Sequence, residues 1–172
     1  LLCVAVFPIT RAMLTAASRL RAIVSAVTGV EGVDMAAATD CGVVVGNAQT
    51  EENVVGMAEA TVLMMLAALY DLEGAQERVR QKLWRPPQLK AGQLRGKTVG
   101  LVGLGKIGRE TVRLLAPWGA TLQYSARRDA DLTGLPPIAR VDLDTLMRTS
   151  DVVVILASLN SETRGMISAE RL

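Results

Sequence analysis

One stretch of the sequence, residues 98–108, runs an apolar strand directly into a glycine-rich turn and then into a helical pattern. The apolar run 99–102 is typical of a buried strand, and Gly103, Gly105 and Gly108 follow it with the spacing GxGxxG. In this arrangement the first glycine permits a tight turn, the second lets a ligand approach the backbone, and the third lets the helix pack closely on the strand. The pattern therefore predicts a phosphate-binding strand–turn–helix unit, with a plain glycine-rich chain reversal as the alternative.

The helix that follows this turn strengthens the phosphate-binding interpretation. A helix N-terminus offers free N–H groups and the positive end of the helix dipole, which together suit a dinucleotide pyrophosphate. We therefore predict that the whole turn contacts a dinucleotide. The predicted cofactor-binding residues of the turn are Gly103, Leu104, Gly105, Lys106, Ile107 and Gly108.

Composition and charge narrow the classes of function. The 172 residues are 50% hydrophobic and 21% charged, which is enough apolar material for a sizeable core. The net charge of +2 comes from scattered rather than clustered basic residues, so neither a nucleic acid nor a membrane surface is expected as a partner. The chain contains no histidine, which removes the commonest acid–base group and metal ligand, and no metal site is predicted. The expected ligand is a small molecule.

The chain has two cysteines, Cys3 and Cys41. They are too far apart for a Cys-x-x-Cys motif and too few for a disulfide framework, so a reducing, cytoplasmic location is expected. We expect both side chains to be buried as small hydrophobic groups.

Strand and helix patterns alternate along the sequence, which predicts parallel sheets covered by helices. Thr10 and Asp34 are the expected N-caps of two short helices, and Gly42 falls where the second of these should end. The expected strands cover residues 3–7, 22–27, 43–46, 97–102, 120–125 and 151–156. The expected helices of the sheets cover residues 10–20, 34–39, 106–116 and 142–148.

A single long helix is predicted over residues 53–81, apolar on more than one face in its first part. Glu59 and Asp71 leave only residues 60–70 uncharged, which is shorter than the ~20 residues of a membrane span. We expect this helix to be buried between domains or subunits.

These segments resemble the D-isomer-specific 2-hydroxyacid dehydrogenases, a family that includes D-3-phosphoglycerate dehydrogenase and glyoxylate/hydroxypyruvate reductases. The resemblance is carried by residues 27–34, 36–39, 42–45, 57–61, 94–108, 150–154 and 162–167. It implies an α/β fold, an incomplete Rossmann-type doubly wound parallel sheet preceded by part of a flavodoxin-like substrate lobe. The implied domains are a partial substrate domain over residues 1–48 and an NAD(P)-binding domain over residues 49–172, in a homodimer.

The resemblance also implies an oxidoreductase that moves a hydride between NAD(P) and a D-2-hydroxy or 2-oxo acid. The family's catalytic arginine, carboxylate and histidine lie C-terminal to the matching region, so no catalytic residue is assigned here, and Arg164 belongs to a different motif. We therefore expect the chain to be a central part of a longer enzyme. The alternative is a non-catalytic dinucleotide-binding regulator or sensor, which would keep the glycine-rich turn and lack the catalytic trio.

Two further groups of site residues follow from the resemblance. Thr28 and Gly29 are expected to bind the substrate carboxylate through backbone N–H groups, with a purely structural turn as the alternative. The family usually has a second glycine where Val27 stands. Ala157, Ser158 and Thr163, after the last predicted strand, are expected to face the cofactor.

The second strand of the dinucleotide-binding unit ends in Ser125 where an acidic residue would bind both ribose hydroxyls of NAD. Arg127 and Arg128 follow, and a guanidinium with a hydroxyl suits a 2′-phosphate. NADP is therefore favoured over NAD. The alternative is a solvated basic turn balanced by Asp129 and Asp131.

Overall fold

The computed structural model describes residues 2–3, 7–84 and 92–172, with residues 2 and 3 described by their backbone alone. The chain divides into two compact units. The first comprises Leu1–Asn53 with Leu159–Glu162, and the second comprises Val54–Ser158 with Thr163–Leu172.

The first unit is built on a parallel three-stranded sheet. Its elements in chain order are β1 (Leu2–Cys3), α1 (Arg11–Ala16), β2 (Ala22–Ser25), α2 (Met35–Asp40) and β3 (Val44–Asn47). The strand order is β1-β2-β3, and both pairs are parallel, as strand–helix–strand connections produce. The predicted alternation is confirmed here, although most of the first expected strand lies outside the described residues.

The predicted helix caps of this unit are confirmed. The Thr10 side chain accepts a hydrogen bond from the Met13 N–H at 3.5 Å, and Asp34 accepts one from the Ala37 N–H at 2.8 Å. Gly42 follows α2 with φ +65°, a left-handed conformation that glycine adopts without strain. The core of the unit is formed by Ile9, Leu14, Ile23, Val33, Ala37, Ala38 and Val43.

The prediction of one helix over residues 53–81 is wrong. The structure has two helices, α3 (Glu51–Leu69) and α4 (Leu72–Arg80). The break lies at Asp71, which adopts the left-handed conformation with φ 47° and ψ 54°. Aspartate tolerates this conformation better than most residues other than glycine, so the chain changes direction without a glycine or proline signal.

Helix α3 is less buried within this chain than its sequence suggests. Val62, Leu66 and Leu69 pack against the core of the second unit, whereas Leu63 and Met64 are 60% and 68% exposed. By length and composition α3 could also span a membrane, contrary to what its charges indicated. One side of α3 packs on the core of the second unit, and what covers its other side stays a prediction.

The second unit contains a parallel four-stranded sheet. Its strands are β4 (Thr98–Val102), β5 (Thr121–Ser125), β6 (Ala139–Arg140) and β7 (Val152–Ile155), in the order β6-β5-β4-β7. The order reverses at β4, because β5 and β6 are added on one side of it and β7 on the other. Such a reversal opens a crevice at the carboxyl ends of the strands, where ligands of α/β proteins bind.

Two helices connect these strands. They are α5 (Lys106–Leu115), which continues into a 3₁₀ turn over Ala116–Trp118, and α6 (Leu143–Thr149). Together with the sheets they confirm the predicted α/β class. The core cluster is formed by Met65, Leu94, Val99, Leu101, Leu104, Val112, Leu115, Leu122, Tyr124 and Val154.

Three further details differ from the sequence predictions. Strand β2 ends at Ser25, so residues 26–30 form a loop. Strand β6 was not predicted, and its two residues pair with Gln123 and Tyr124 of β5. Cys41 is exposed rather than buried, because it caps the C-terminus of α2 at the surface, and the side chain of Cys3 lies outside the described residues.

Candidate functional site

The turn between β4 and α5 begins with Gly103, whose backbone geometry only glycine adopts readily. Its φ is +98°, and its N–H donates to the Ser125 carbonyl at 2.8 Å, which joins the ends of β4 and β5. A Cβ built on Gly103 would lie 2.9 Å from the Ala157 nitrogen. The structure thus brings together Gly103, Ser125 and Ala157, which lie far apart in the sequence.

Gly108 closes the same turn by letting α5 pack against it. A Cβ at this position would lie 2.9 Å from the Gly103 carbonyl oxygen, a distance at which something must shift. Leu104 between them is buried in the core. Its side chain therefore packs inward, and only its backbone can face a ligand.

Gly105 differs from the other two glycines because its Cα faces open space. Among the described residues, no heavy atom apart from those of its chain neighbours lies within 4 Å of a Cβ built there, and its φ of −80° suits any residue. Gly105 is the N-cap of α5 and, as a glycine, provides no capping side chain at that end of the helix. The exposed Lys106 and half-buried Ile107 form its first turn. An open backbone beside an uncapped helix N-terminus fits the pyrophosphate of a dinucleotide.

The residues predicted to bind the ribose lie at the end of β5. Ser125 is half-buried and pairs with Val102 in the sheet, while Arg127 and Arg128 are exposed in the loop that follows. The serine and the two arginines thus lie beside the glycine-rich turn, which Ser125 contacts through its carbonyl.

Arg140 and Arg109, which sequence reasoning missed, hold the loop that carries these arginines. Arg140 donates to the Ala126 carbonyl at 2.9 Å and forms an ion pair with Asp129. Arg109 donates to the Thr133 carbonyl at 3.0 Å. Arg140 reaches the loop because of β6, which was not predicted.

The two acidic residues of this loop form ion pairs with arginines that lie outside it. Asp129 pairs with Arg140, and Asp131 lies 3.8 Å from Arg109. Hydrogen bonds from the hydroxyl and N–H of Thr133, helped by the charge of Arg109, lower the pKa of Asp131.

The segment after β7 contributes Ala157, Ser158 and Thr163. Ala157 is half-buried beside Gly103, whereas Ser158 is exposed. The Thr163 hydroxyl donates to the Ser158 carbonyl at 2.7 Å. The structure therefore connects Thr163 to the same carboxyl edge of the sheet through Ser158.

In the first unit, Thr28 and Gly29 lie in the loop after β2, also at the carboxyl edge of a parallel sheet. The Asn47 amide donates to the Thr28 carbonyl at 2.7 Å, and the Ser25 hydroxyl donates to the Gly29 carbonyl at 2.9 Å. The Thr28 hydroxyl donates to Asn53 Oδ1 at 2.9 Å. Sequence reasoning missed Ser25, Asn47 and Asn53, and the only signal was that the first two are polar residues where strands end.

Comparisons with known proteins agree with this architecture. The family model described as D-isomer specific 2-hydroxyacid dehydrogenase, NAD binding domain, matches residues 62–172. A glyoxylate reductase from Thermofilum pendens is 35% identical over 178 aligned residues, which cover 100% of this chain and 52% of the relative. A D-3-phosphoglycerate dehydrogenase from Archaeoglobus fulgidus is 34% identical over 90% of this chain and 29% of the relative.

Among solved structures, a NAD-dependent formate dehydrogenase from Staphylococcus aureus in complex with NAD superimposes with a TM-score of 0.87. It is 29% identical, and the match covers 99% of this chain and 52% of that one. The chain thus spans about half the length of that structure and of the glyoxylate reductase, and less than a third of the phosphoglycerate dehydrogenase.

Proposed function

Because the chain belongs to the family of D-isomer specific 2-hydroxyacid dehydrogenases, we propose that it forms part of an oxidoreductase acting on small 2-hydroxy or 2-oxo acids. The nicotinamide dinucleotide supplies the hydride chemistry when bound. The observation that carries the proposal is the open backbone at Gly105 beside the uncapped N-terminus of α5.

In this proposal each part of the chain has a separate task. The residues of the turn, 103–108, hold the pyrophosphate, and Ala157, Ser158 and Thr163 line the cofactor at the carboxyl edge of the sheet. Thr28 and Gly29 bind the substrate carboxylate through backbone N–H groups. Residues 1–48 then belong to the substrate domain, and residues 49–172 to the NAD(P)-binding domain.

Replacing Gly105 with valine tests the cofactor site. The side chain fits the chain itself, because nothing lies within 4 Å of a Cβ there, but it occupies the space that the pyrophosphate needs. Losing two charged hydrogen bonds should weaken dinucleotide binding about 100-fold. Nicotinamide fluorescence titration measures the affinity, and a urea unfolding curve shows whether the fold survives. Equal affinity of the variant and the parent would contradict the site.

The absence of histidine from the 172 residues favours a second candidate, a non-catalytic dinucleotide-binding regulator or sensor. Turnover separates the two. We expect the complete protein to oxidise NADH or NADPH with glyoxylate, hydroxypyruvate or a related 2-oxo acid. Dinucleotide binding without turnover of any acid in such a panel would favour the regulator.

We further propose that the cofactor is NADP. Ser125 places no carboxylate against a 2′-phosphate, and Arg127 and Arg128 are exposed beside it. The carboxylates of Asp129 and Asp131 form ion pairs with Arg140 and Arg109. These observations support a site for an additional phosphate.

Replacing both Arg127 and Arg128 with alanine should lower kcat/KM for NADPH about tenfold and leave that for NADH nearly unchanged, because only NADPH carries the 2′-phosphate. Ser125→Asp should favour NADH by binding the ribose hydroxyls and repelling the phosphate. The matched control, Arg113→Ala with Arg148→Ala, removes the same charge from other exposed positions of the second unit. If the parent prefers NADH, and the ratio of kcat/KM for NADPH to that for NADH does not change in the arginine variants, the 2′-phosphate site is excluded. Arg127 and Arg128 then belong to a solvated turn.

Two further proposals concern the oligomeric state and the cellular location of the protein. We propose that a second copy of the chain covers the exposed side of α3, in a homodimer. We also propose a cytoplasmic location, where the exposed Cys41 would stay reduced. No nucleic acid or membrane partner is part of this proposal.

A further inference from the structure

The loop over residues 26–30 is held by polar side chains from three separate places in the first unit. Ser25 and Asn47 are paired residues at the ends of β2 and β3, and Asn53 lies in the first turn of α3. Ser25 is fully buried, and besides donating to the Gly29 carbonyl it accepts from the Val27 N–H at 3.4 Å. A buried hydroxyl that both donates and accepts fixes the loop from the inside.

These bonds orient three successive peptide groups. The carbonyl of Val27 accepts from the Ala48 N–H at 3.3 Å, that of Thr28 from Asn47 at 2.7 Å and that of Gly29 from Ser25 at 2.9 Å. In a trans peptide the C=O and the following N–H point in opposite directions. The N–H groups of residues 28, 29 and 30 are therefore directed away from these partners.

The same N–H groups donate to no acceptor within the part of the chain that the structure describes. The loop thus bonds its carbonyls to the protein and leaves these N–H groups to a ligand, while the Glu31 carboxylate lies against Gly29. The Thr28 hydroxyl does not join these donors, since its proton goes to Asn53 Oδ1 at 2.9 Å.

From this geometry we infer that Asn53 is a positioning residue for the substrate-carboxylate loop and acts through the Thr28 hydroxyl, which anchors the loop instead of binding substrate. The inference rests on the proposed function. The ligand it concerns is the carboxylate of a small 2-oxo acid, held by the backbone N–H groups that the anchored loop presents.

A double-mutant cycle in the complete protein tests this assignment. Thr28→Val removes the hydroxyl at nearly constant shape, and Asn53→Ala removes its acceptor. Each change should raise KM for the 2-oxo acid between about threefold and tenfold, the effect of one hydrogen bond, with kcat and the KM for the dinucleotide nearly unchanged. Because both changes break the same bond, the double variant should be no worse than either single variant. Thr28→Ser, which keeps the hydroxyl, should restore the parent KM.

Two kinetic results would overturn the inference. An effect of Thr28→Val without one of Asn53→Ala would mean that the hydroxyl contacts the substrate directly. Effects that multiply in the double variant would mean that the two residues act separately.

Amide hydrogen exchange supplies a readout that does not depend on turnover. Exchange of the Val27 and Ala48 N–H groups, which donate to the Ser25 hydroxyl and to the Val27 carbonyl, should be faster in Asn53→Ala and Thr28→Val than in the parent and Thr28→Ser, because the released loop samples open conformations. Unchanged exchange in Asn53→Ala would overturn the positioning role. If the parent turned over no 2-oxo acid, the proposed function would fail, and the exchange rates would still decide whether Asn53 anchors the loop.

Discussion

Gly103 and Gly105 lie in the same turn, but they are glycines for different reasons. At Gly103 the backbone has φ +98°, and a Cβ would meet the Ala157 nitrogen at 2.9 Å. At Gly105 the backbone is ordinary and the space is open. The first glycine is therefore required by the protein itself, and the second by the ligand that the turn is proposed to hold.

Alanine substitution should separate these two requirements. Gly103→Ala should lower the free energy of unfolding by about 1–3 kcal/mol, because it forces a side chain into a strained backbone region and against the chain after β7. Gly105→Ala should change it by less than about 0.5 kcal/mol. Urea unfolding of both variants measures the difference. Equal stabilities would show that the close approach of Gly103 to Ala157 is not a constraint on the fold.

At the scale of residues, the sequence predicted the glycine-rich turn. It did not predict the side chains that hold the loop over residues 26–30 or the loop that carries Arg127 and Arg128. The spacing of three glycines after an apolar run is a local pattern, so it is visible without a structure. The bond from Thr28 to Asn53 joins residues 25 positions apart, and the bond from Arg140 to Ala126 spans 14. Neither distance corresponds to a local repeat, and only the folded chain brings these partners together.

The starts of β4 and β7 are tied together by Asp151. One carboxylate oxygen accepts from the Thr98 N–H at 2.8 Å, and the other lies 3.0 Å from Lys97 Nζ. The Thr98 N–H first, and then Lys97, lower the pKa of Asp151. Because the folded-state pKa is the lower one, the ionised carboxylate stabilises the fold above the unfolded pKa of about 4, and this stabilisation is lost as the pH falls through the folded value.

Asp151→Asn should therefore lower the free energy of unfolding at pH 7. As the solution is acidified, the free energy of unfolding should fall less in this variant than in the parent. Chemical denaturation at a series of pH values from 7 downward measures the two curves, which should approach each other from about pH 4 downward and meet below the folded-state pKa of Asp151. Lys97→Met is the control: it removes the ammonium but keeps the Thr98 N–H, so most of the pH dependence should remain. A difference between Asp151→Asn and the parent that stays constant with pH would exclude this role of the carboxylate.

The elements with strong local sequence signals were predicted, whereas the break between α3 and α4 and the strand β6 were not. Helix α5 and strands β4 and β5 lie within one or two residues of their expected bounds. The break between α3 and α4 was missed because Asp71 carries no general helix-breaking signal, and its left-handed conformation depends on context. Strand β6 was missed because two residues are too few to show an alternating pattern.

For the molecule as a whole, the open question is what covers α3. Val62, Leu66 and Leu69 already pack on the core of the second unit, so they cannot form the proposed subunit interface. The exposed Leu63 and Met64 remain for that role. Apolar side chains of this size are unfavourable in water by ~1.5–3 kcal/mol each relative to burial, which supports a covering partner.

Leu63→Glu should convert the proposed dimer into a monomer while leaving the thermal unfolding of the chain largely intact, since the side chain is exposed in the single chain. Leu66→Glu should instead destabilise the fold, because it places a charge against the core. Light scattering on size-exclusion fractions gives the mass, and circular dichroism gives the unfolding. A parent that is already monomeric at all concentrations would exclude the interface.

The strand order β6-β5-β4-β7 has a consequence for how the second unit is made on the ribosome. Strand β4 can pair with β5 soon after both have emerged. Its other edge pairs with β7, which is synthesised later: Asp151, just before β7, lies 53 residues after its partner Thr98. Until then an apolar edge of β4 stays unpaired, and closing so long a segment carries an entropic cost. We expect nascent chains that stop before β7 to require a chaperone, and Gly103 to reach its final conformation only when Ala157 arrives beside it.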